Sequence, residues 1–265
     1  DIYGFIEISN NYISIPNGFF YELNIGFNNV KSYIFEKFQI NDLPKFLNVN
    51  KDKFSQSPIG FKDVYKGKYK HYFLKELIET KDVVSKTFDN FNYSNKEFEI
   101  FLNSRNCKIN KSHFTNISKN YEDIIITGMG TCYTAAVAIS QALRSSLRDN
   151  GILINVEPHI ASEGSAFYIK EDMSKTLVIV IAQSGTTIDT NIYVELASKR
   201  GAKTLALVNK RDGDLTFIVD SVMYIGDGRD IEISVPSTKT YIAHIFLAEI
   251  FSIYLLKINN YLSPK

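Results

Sequence analysis

From Asp123 onward the chain repeats one rhythm: an apolar run, a loop of small residues, then an amphipathic stretch. DIIITGMGT leads into CYTAAVAISQALRSSL, ILINVEP is followed by SEGSAFYI, and TLVIVIAQSGTT leads into IDTNIYVELASKRG, which closes on TLALVN. SVMYIGDG supplies a further short run, and STKTYIAHIFLAEIFSIYLL a long helix. Strands that alternate with helices, and that are apolar without alternation, are buried on both faces. The expected architecture is α/β, a doubly wound sandwich around a mainly parallel sheet of about five strands.

The helix after TLVIVIAQSGTT is well marked. Ile188, Ile192 and Leu196 line one stripe, Glu195 and Lys199 form an i,i+4 pair, and Gly201 is placed to end it. The loop before it therefore leaves the C-terminal end of a strand and opens a helix, the side of an open α/β sheet where ligands gather. Three loops share this chemistry: Gly128-Met129-Gly130-Thr131, Gln183-Ser184-Gly185-Thr186-Thr187 and Val235-Pro236-Ser237-Thr238-Lys239. Glycine lets backbone approach a ligand, the first N–H groups of a helix are unpaired, and the helix dipole favours an anion. On this reading Thr131, Ser184, Thr187 and Ser237 are candidate phosphate donors; the plainer alternative is that they cap their own helices. GMGT lacks the third glycine of a dinucleotide fingerprint, and no P-loop lysine follows either glycine cluster.

A chain of 265 residues, 45% hydrophobic, has material for a sizeable core, and a formal charge of +1 gives no electrostatic footprint for nucleic acid or a membrane surface. Two cysteines fit a reducing compartment, and the four histidines lack metal-ligand spacing, so neither metal nor cofactor is expected. The longest apolar stretch is interrupted by His244 and Glu249 and makes a poor membrane span. The expectation is a soluble, cytoplasmic protein.

Upstream, FIEISNNYISI alternates on both sides of Asn10-Asn11 as a hairpin does, and Pro16 to Lys66 reads as loop and linker. A helix begins near Lys70, with Phe73, Leu77, Val84 and Phe88 on one apolar face, and another lies around Lys96 to Leu102. Other residues carry two readings each. Cys132 beside a helix start is either an activated thiol or a small side chain lining a pocket. Glu157, His159 and Glu163 near a strand end either face the cleft or are ordinary loop polar groups. Asp227, Arg229, Asp230 and Glu232 read as a solvated charged turn. The final helix, apolar nearly all round from Tyr241 to Leu256, either buries against a partner or is enclosed by its own domain.

GMGTCYTA, VEPHIASEG, IAQSGTTIDT and ISVPSTKTY, in that order, resemble the sugar-isomerase (SIS) domain. KGKYKHYFLKELIE upstream resembles the leading helix of one SIS family, the glutamine–fructose-6-phosphate aminotransferases, and FIEISNNYISI the last hairpin of their glutaminase domain. The resemblance implies sugar-phosphate ligands at Met129, Gly130, Thr131 and Cys132, at Ala182, Gln183, Ser184 and Thr187, and at Val235, Pro236 and Ser237. It departs at Cys132 and Ala182, where the family usually has Ser, at Thr186 (Glu) and at Pro236 (Ala), so two hydroxyl donors are lost.

What the resemblance implies is a central piece of such an enzyme: residues 1–66 as the tail of a glutaminase domain plus linker, and 67–265 as a SIS domain. Its ligand would be fructose 6-phosphate or a related sugar phosphate. Its partner would be a second SIS domain or another copy of the chain. The family's ring-opening lysine and proton-moving groups belong to the other SIS half, so no catalytic residue is assigned here and this piece alone is expected to be inactive. Two alternatives stand beside this, another SIS isomerase or deglycase and a non-catalytic sugar-phosphate sensor.

Overall fold

A computed structural model describes residues 65–89, 107–211, 213–228, 230–233 and 236–261, together with strand backbone between 11 and 56. The chain divides into two compact units, Asp1–Tyr65 and Lys66–Lys265.

In the first unit β1 (Asn11–Tyr12) pairs antiparallel with β5 (Ser55–Gln56), and β2 (Phe19–Leu23), β3 (Val30–Ile34) and β4 (Lys45–Asn48) form an antiparallel sheet in that order. This corrects the loop-and-linker expectation for Pro16 to Lys66. FFYEL and VKSYI carry aromatic and β-branched residues that favour strands, and the interspersed Asn and Lys hide their alternation. The hairpin turn expected at Asn10-Asn11 is also corrected, because Asn11 belongs to a strand whose partner is distant. The rest of that hairpin, and the helix expected around Lys96 to Leu102, lie outside the described residues.

The second unit is built on a six-stranded sheet of order β6-β11-β10-β9-β7-β8. Its strands are β6 (Cys107–Lys108), β7 (Asp123–Gly128), β8 (Asn155–Ile160), β9 (Thr176–Ala182), β10 (Lys203–Val208) and β11 (Ser221–Tyr224). All neighbours are parallel except the edge pair β6 and β11. The five parallel strands match the apolar runs; the sixth, two residues long, gives no periodic signal. Every residue of β9 is buried, and its side chains alternate between two cores. Leu177, Ile179 and Ile181 enter one, Val178, Val180 and Ala182 the other.

The first core is closed by α1 (Tyr72–Asp89), α2 (Thr131–Asp149) and α4 (Lys239–Ile258), the second by α3 (Ile188–Lys199) and short helical turns at Ala161–Glu163, Gly164–Tyr168 and Leu215–Ile218. On α2 the residues Ala135, Ala136, Ile139, Leu143 and Leu147 recur at helical spacing and all are buried. α4 packs against α1, α2 and β10, with Phe251 edge-on to Phe114 at 5.3 Å between ring centroids. It is long and apolar enough to cross a membrane by length and composition, yet more than half of it is buried within this unit, with Ile242 and Ile253 left exposed. Of the two readings of this helix, enclosure by its own domain accounts for the larger part of its apolar surface.

Two helices face opposite to their apolar periodicity. On α1, Phe73, Leu77 and Phe88 are exposed and Val84 packs partly against the core, while Lys75, Glu76, Val83 and Thr87 point inward. The polar ones are satisfied there: the Thr87 hydroxyl donates to the Val83 carbonyl at 2.7 Å and accepts the Gly226 N–H at 2.8 Å. On α3, Ile188 and Ile192 face out, and Thr190, Tyr193, Val194 and Ala197 face the sheet. Tyr193 fits against Gly164, where a Cβ would lie 2.3 Å from its ring. Glu195 and Lys199 do pair, at 3.7 Å, and Gly201, at φ +96°, follows the helix end.

Candidate functional site

Numbering the parallel strands in chain order, the sheet runs 2-1-3-4-5, so the connections after β7 and β9 leave to opposite faces. A crevice opens beyond the carboxyl ends of these two strands, the topological switch point of a doubly wound sheet. The first two hydroxyl loops border it.

The first loop is shaped by its glycines. A Cβ on Gly128 would lie 2.9 Å from the Cys132 carbonyl carbon and 3.0 Å from the Ile181 carbonyl oxygen, so β7 can approach β9 and α2 this closely only without a side chain. Gly130, at φ +56°, caps α2 without a side chain, leaving the helix start open. Thr131 opens α2, and its hydroxyl oxygen accepts the Ser237 N–H at 3.1 Å, which ties the first loop to the third.

In the second loop Ser184 and Thr186 share a hydroxyl–hydroxyl bond of 2.9 Å, and the Thr186 N–H donates to the Ser184 oxygen at 3.2 Å. Thr187 stands at the N-cap of α3 with extended backbone, yet its side chain makes no capping bond. The plain capping reading therefore fails at Thr187, and the start of α3 keeps its anion-attracting character.

The third loop differs in kind. Glu232, 8% exposed, sends its carboxylate to the start of α4. There Oε1 accepts the N–H groups of Thr238 (2.7 Å) and Thr240 (3.1 Å) and the Thr238 hydroxyl (3.0 Å). Oε2 accepts the hydroxyls of Ser237 (3.1 Å) and Thr240. The reading of Glu232 as part of a solvated turn is corrected, as is that of Ser237 as a free donor, since its hydroxyl already serves Glu232 and Thr240. Behind Glu232 stands Glu76 of α1, 2% exposed, which accepts the Ile233 N–H at 2.6 Å and faces the Thr238 hydroxyl at 3.3 Å.

These elements enclose a cleft of about 480 Å³. Gly130, Thr131, Cys132, Gln183, Ser184, Thr187 and Ser237 all line it, with Met129, Ala182 and Pro236; Val235 lies outside the described residues. Thr190 and Glu232 line it as well and were missed. For Thr190 a signal existed, since it sits one helical turn past Thr187; for Glu232, whose partners lie on α4, none did.

Burial pushes the Cys132 thiol up to about 11, with the Glu232 charge adding to it against a backbone hydrogen bond from Gln183. The activated-thiol reading is corrected: at neutral pH Cys132 is a protonated, pocket-lining side chain. Glu157, His159 and Glu163 do not line the cleft. His159 lies 3.0 Å from the Tyr193 hydroxyl and 3.5 Å from the exposed Glu157, and burial holds its pKa below the usual value. Among the described residues no group of three or more His, Cys, Asp or Glu could hold a metal ion.

Comparison with known proteins bears on this geometry. The family described as the SIS domain matches residues 117–254. Glutamine–fructose-6-phosphate aminotransferase (isomerizing) of Fusobacterium nucleatum is 32% identical over 198 residues, 74% of this chain and 30% of the relative. The enzyme of that name from Thermococcus kodakarensis is 35% identical over 196 residues, 73% of this chain and 28% of the relative. The chain thus spans under a third of the length of these relatives. Among solved structures, the C-terminal domain of glucosamine-fructose-6-phosphate aminotransferase from Francisella tularensis superposes with a TM-score of 0.61 at 22% identity, covering 75% of this chain and 52% of that one. That likeness is one of fold. A doubly wound sheet with hydroxyl-bearing loops at its switch point, matched from the helical turn before β7 through most of α4, makes this chain a member of the SIS domain family.

Proposed function

We propose that the cleft holds a sugar phosphate, fructose 6-phosphate foremost, and that the chain is the substrate-holding SIS half of a glutamine–fructose-6-phosphate aminotransferase. The observation that carries this reading is the pair of helix starts, α2 and α3, that open on one cleft with no side chain capping either. Unspent N–H groups, a converging dipole and the Ser184, Thr187 and Thr131 hydroxyls suit a phosphate without metal or arginine. The relatives named above support the choice of sugar.

In the whole reaction, ammonia from glutamine adds to the open-chain ketose phosphate with loss of water, and isomerisation of the resulting imine gives glucosamine 6-phosphate. The contribution of this cleft is positioning rather than proton transfer. Cys132, Ala182 and Pro236, where the family usually has Ser, Ser and Ala, leave fewer donors to the sugar itself. A second SIS fold, from another domain or another copy, is the proposed partner, supported by the apolar residues that α1 turns outward. A cytoplasmic location goes with this ligand, whose charge keeps it from crossing membranes.

Calorimetric titration of the chain with fructose 6-phosphate tests the reading. Saturable binding is expected, weakened by roughly 1–3 kcal/mol in each of Ser184→Ala and Thr187→Ala, the range for hydrogen bonds to a charged group. Unchanged affinity in both variants would sink it.

A further inference from the structure

We infer that Glu232 makes the cleft selective for sugar monophosphates, rejecting ligands that carry a second phosphate at the end facing the third loop. The inference rests on the sugar-phosphate reading above and narrows its ligand class.

Three helix starts converge on the cleft, and they are not equivalent. Those of α2 and α3 are uncapped by side chains, whereas that of α4 is filled by an anion of the protein itself. The Glu232 carboxylate takes two backbone N–H groups and the hydroxyl protons of Ser237, Thr238 and Thr240. A phosphate arriving there would find these donors spent and a fixed negative charge in their place, in surroundings where water screens poorly.

Among the described residues, the buried lysines of α1 and α4 are already paired. Lys239, 4% exposed, and Lys75, 8% exposed, both pair with Glu79, at 2.7 and 3.3 Å. A second carboxylate, Glu76, stands behind the first, and the Thr238 hydroxyl between them has one proton for two acceptors. The field of Glu232 also reaches across the cleft to the Cys132 thiol on the first loop. The cleft is thus polarised: one end takes an anion, the other takes neutral hydroxyls. With its phosphate on the second loop, a sugar presents its far end to Glu232.

The test is competitive titration of the chain with fructose 6-phosphate and fructose 1,6-bisphosphate at neutral pH. The bisphosphate should bind at least about tenfold more weakly, and the nearly isosteric Glu232→Gln should narrow the gap to about threefold or less. Equal binding of the two ligands to the unmodified chain overturns the inference. So does a gap that Glu232→Gln leaves intact, because the exclusion would then be one of size. Should that variant fail to fold, fructose 6-phosphate bearing a neutral dimethyl phosphate ester at C1 replaces it. Restored binding of this bulkier, uncharged ligand supports the inference, and rejection equal to that of the bisphosphate overturns it. If the unmodified chain binds neither sugar, the sugar-phosphate reading itself falls and takes this inference with it.

Discussion

His244 lies wholly inside the protein on α4, and neither ring nitrogen has a hydrogen-bond partner. Burial lowers its pKa from 6.5 to about 4, against the pull of the Ala182, Thr240 and Leu207 backbone towards the charged form. The fold therefore refuses a proton that the unfolded chain accepts between those two values, so stability is complete above 6.5 and falls as pH drops towards 4. His244→Gln should flatten this dependence: the unmodified chain is expected to lose on the order of 3 kcal/mol more than the variant across that window. Denaturant midpoints of both proteins at several pH values give the comparison, and the difference cancels His113 and His159, whose pKa values burial also lowers. Equal slopes would refute it. In the sequence His244 registers only as an interruption of an apolar run, and Glu232 only as one more charge in GDGRDIE. Burial of a polar residue depends on what other elements bring to it. The Glu76 bonds to Ile233 and Thr238 span 157 and 162 residues, beyond any local pattern.

Elements were legible to the degree that one signal fixed them. β9 reads as a strand buried on both faces because seven residues, TLVIVIA, run without a solvent-facing position. Periodicity marks α1 and α3 as amphipathic but does not say which face turns inward. On α1 the polar face wins, because Glu76 accepts the Ile233 N–H and faces Thr238, and Lys75 and Lys239 share Glu79. α1 is thus a clasp on the third loop as well as part of the wall of the first core. Glu76→Ala, which removes the charged acceptor of the Ile233 N–H, should destabilise the fold by about 1–3 kcal/mol, the range for a hydrogen bond to a charged group. It should also weaken sugar-phosphate binding although Glu76 does not line the cleft. Glu76→Gln, which keeps an acceptor, should recover most of the stability. Thermal melts and titrations of the two variants check this; an alanine variant with native affinity would show that the loop holds its shape unaided.

At the scale of the molecule, a parallel, doubly wound sheet with its loops on the ligand side followed from the alternation of apolar runs and helices, whereas the strand order and the surfaces came only with the structure. Phe73 (50%), Leu74 (46%), Leu77 (46%) and Ile78 (53%) of α1 are all about half exposed and sit on adjoining helical positions. An outward apolar stripe of this kind is the surface the proposed partner would cover. Sedimentation of the chain at micromolar concentration should show a dimer or larger species, and Leu77→Glu should shift it towards monomer without loss of helical signal. A monomer that binds little hydrophobic dye would remove this support for a partner. The clasp has one more consequence, for the order in which the molecule comes together. α1 is synthesised early, but the carboxylate it contributes has no ligand until residues 233–238 emerge, so the third loop is a late, long-range closure. During refolding, helical content should rise well before the capacity to hold a ligand, and a nascent chain that already displays every strand of the sheet would still be a vessel without its wall.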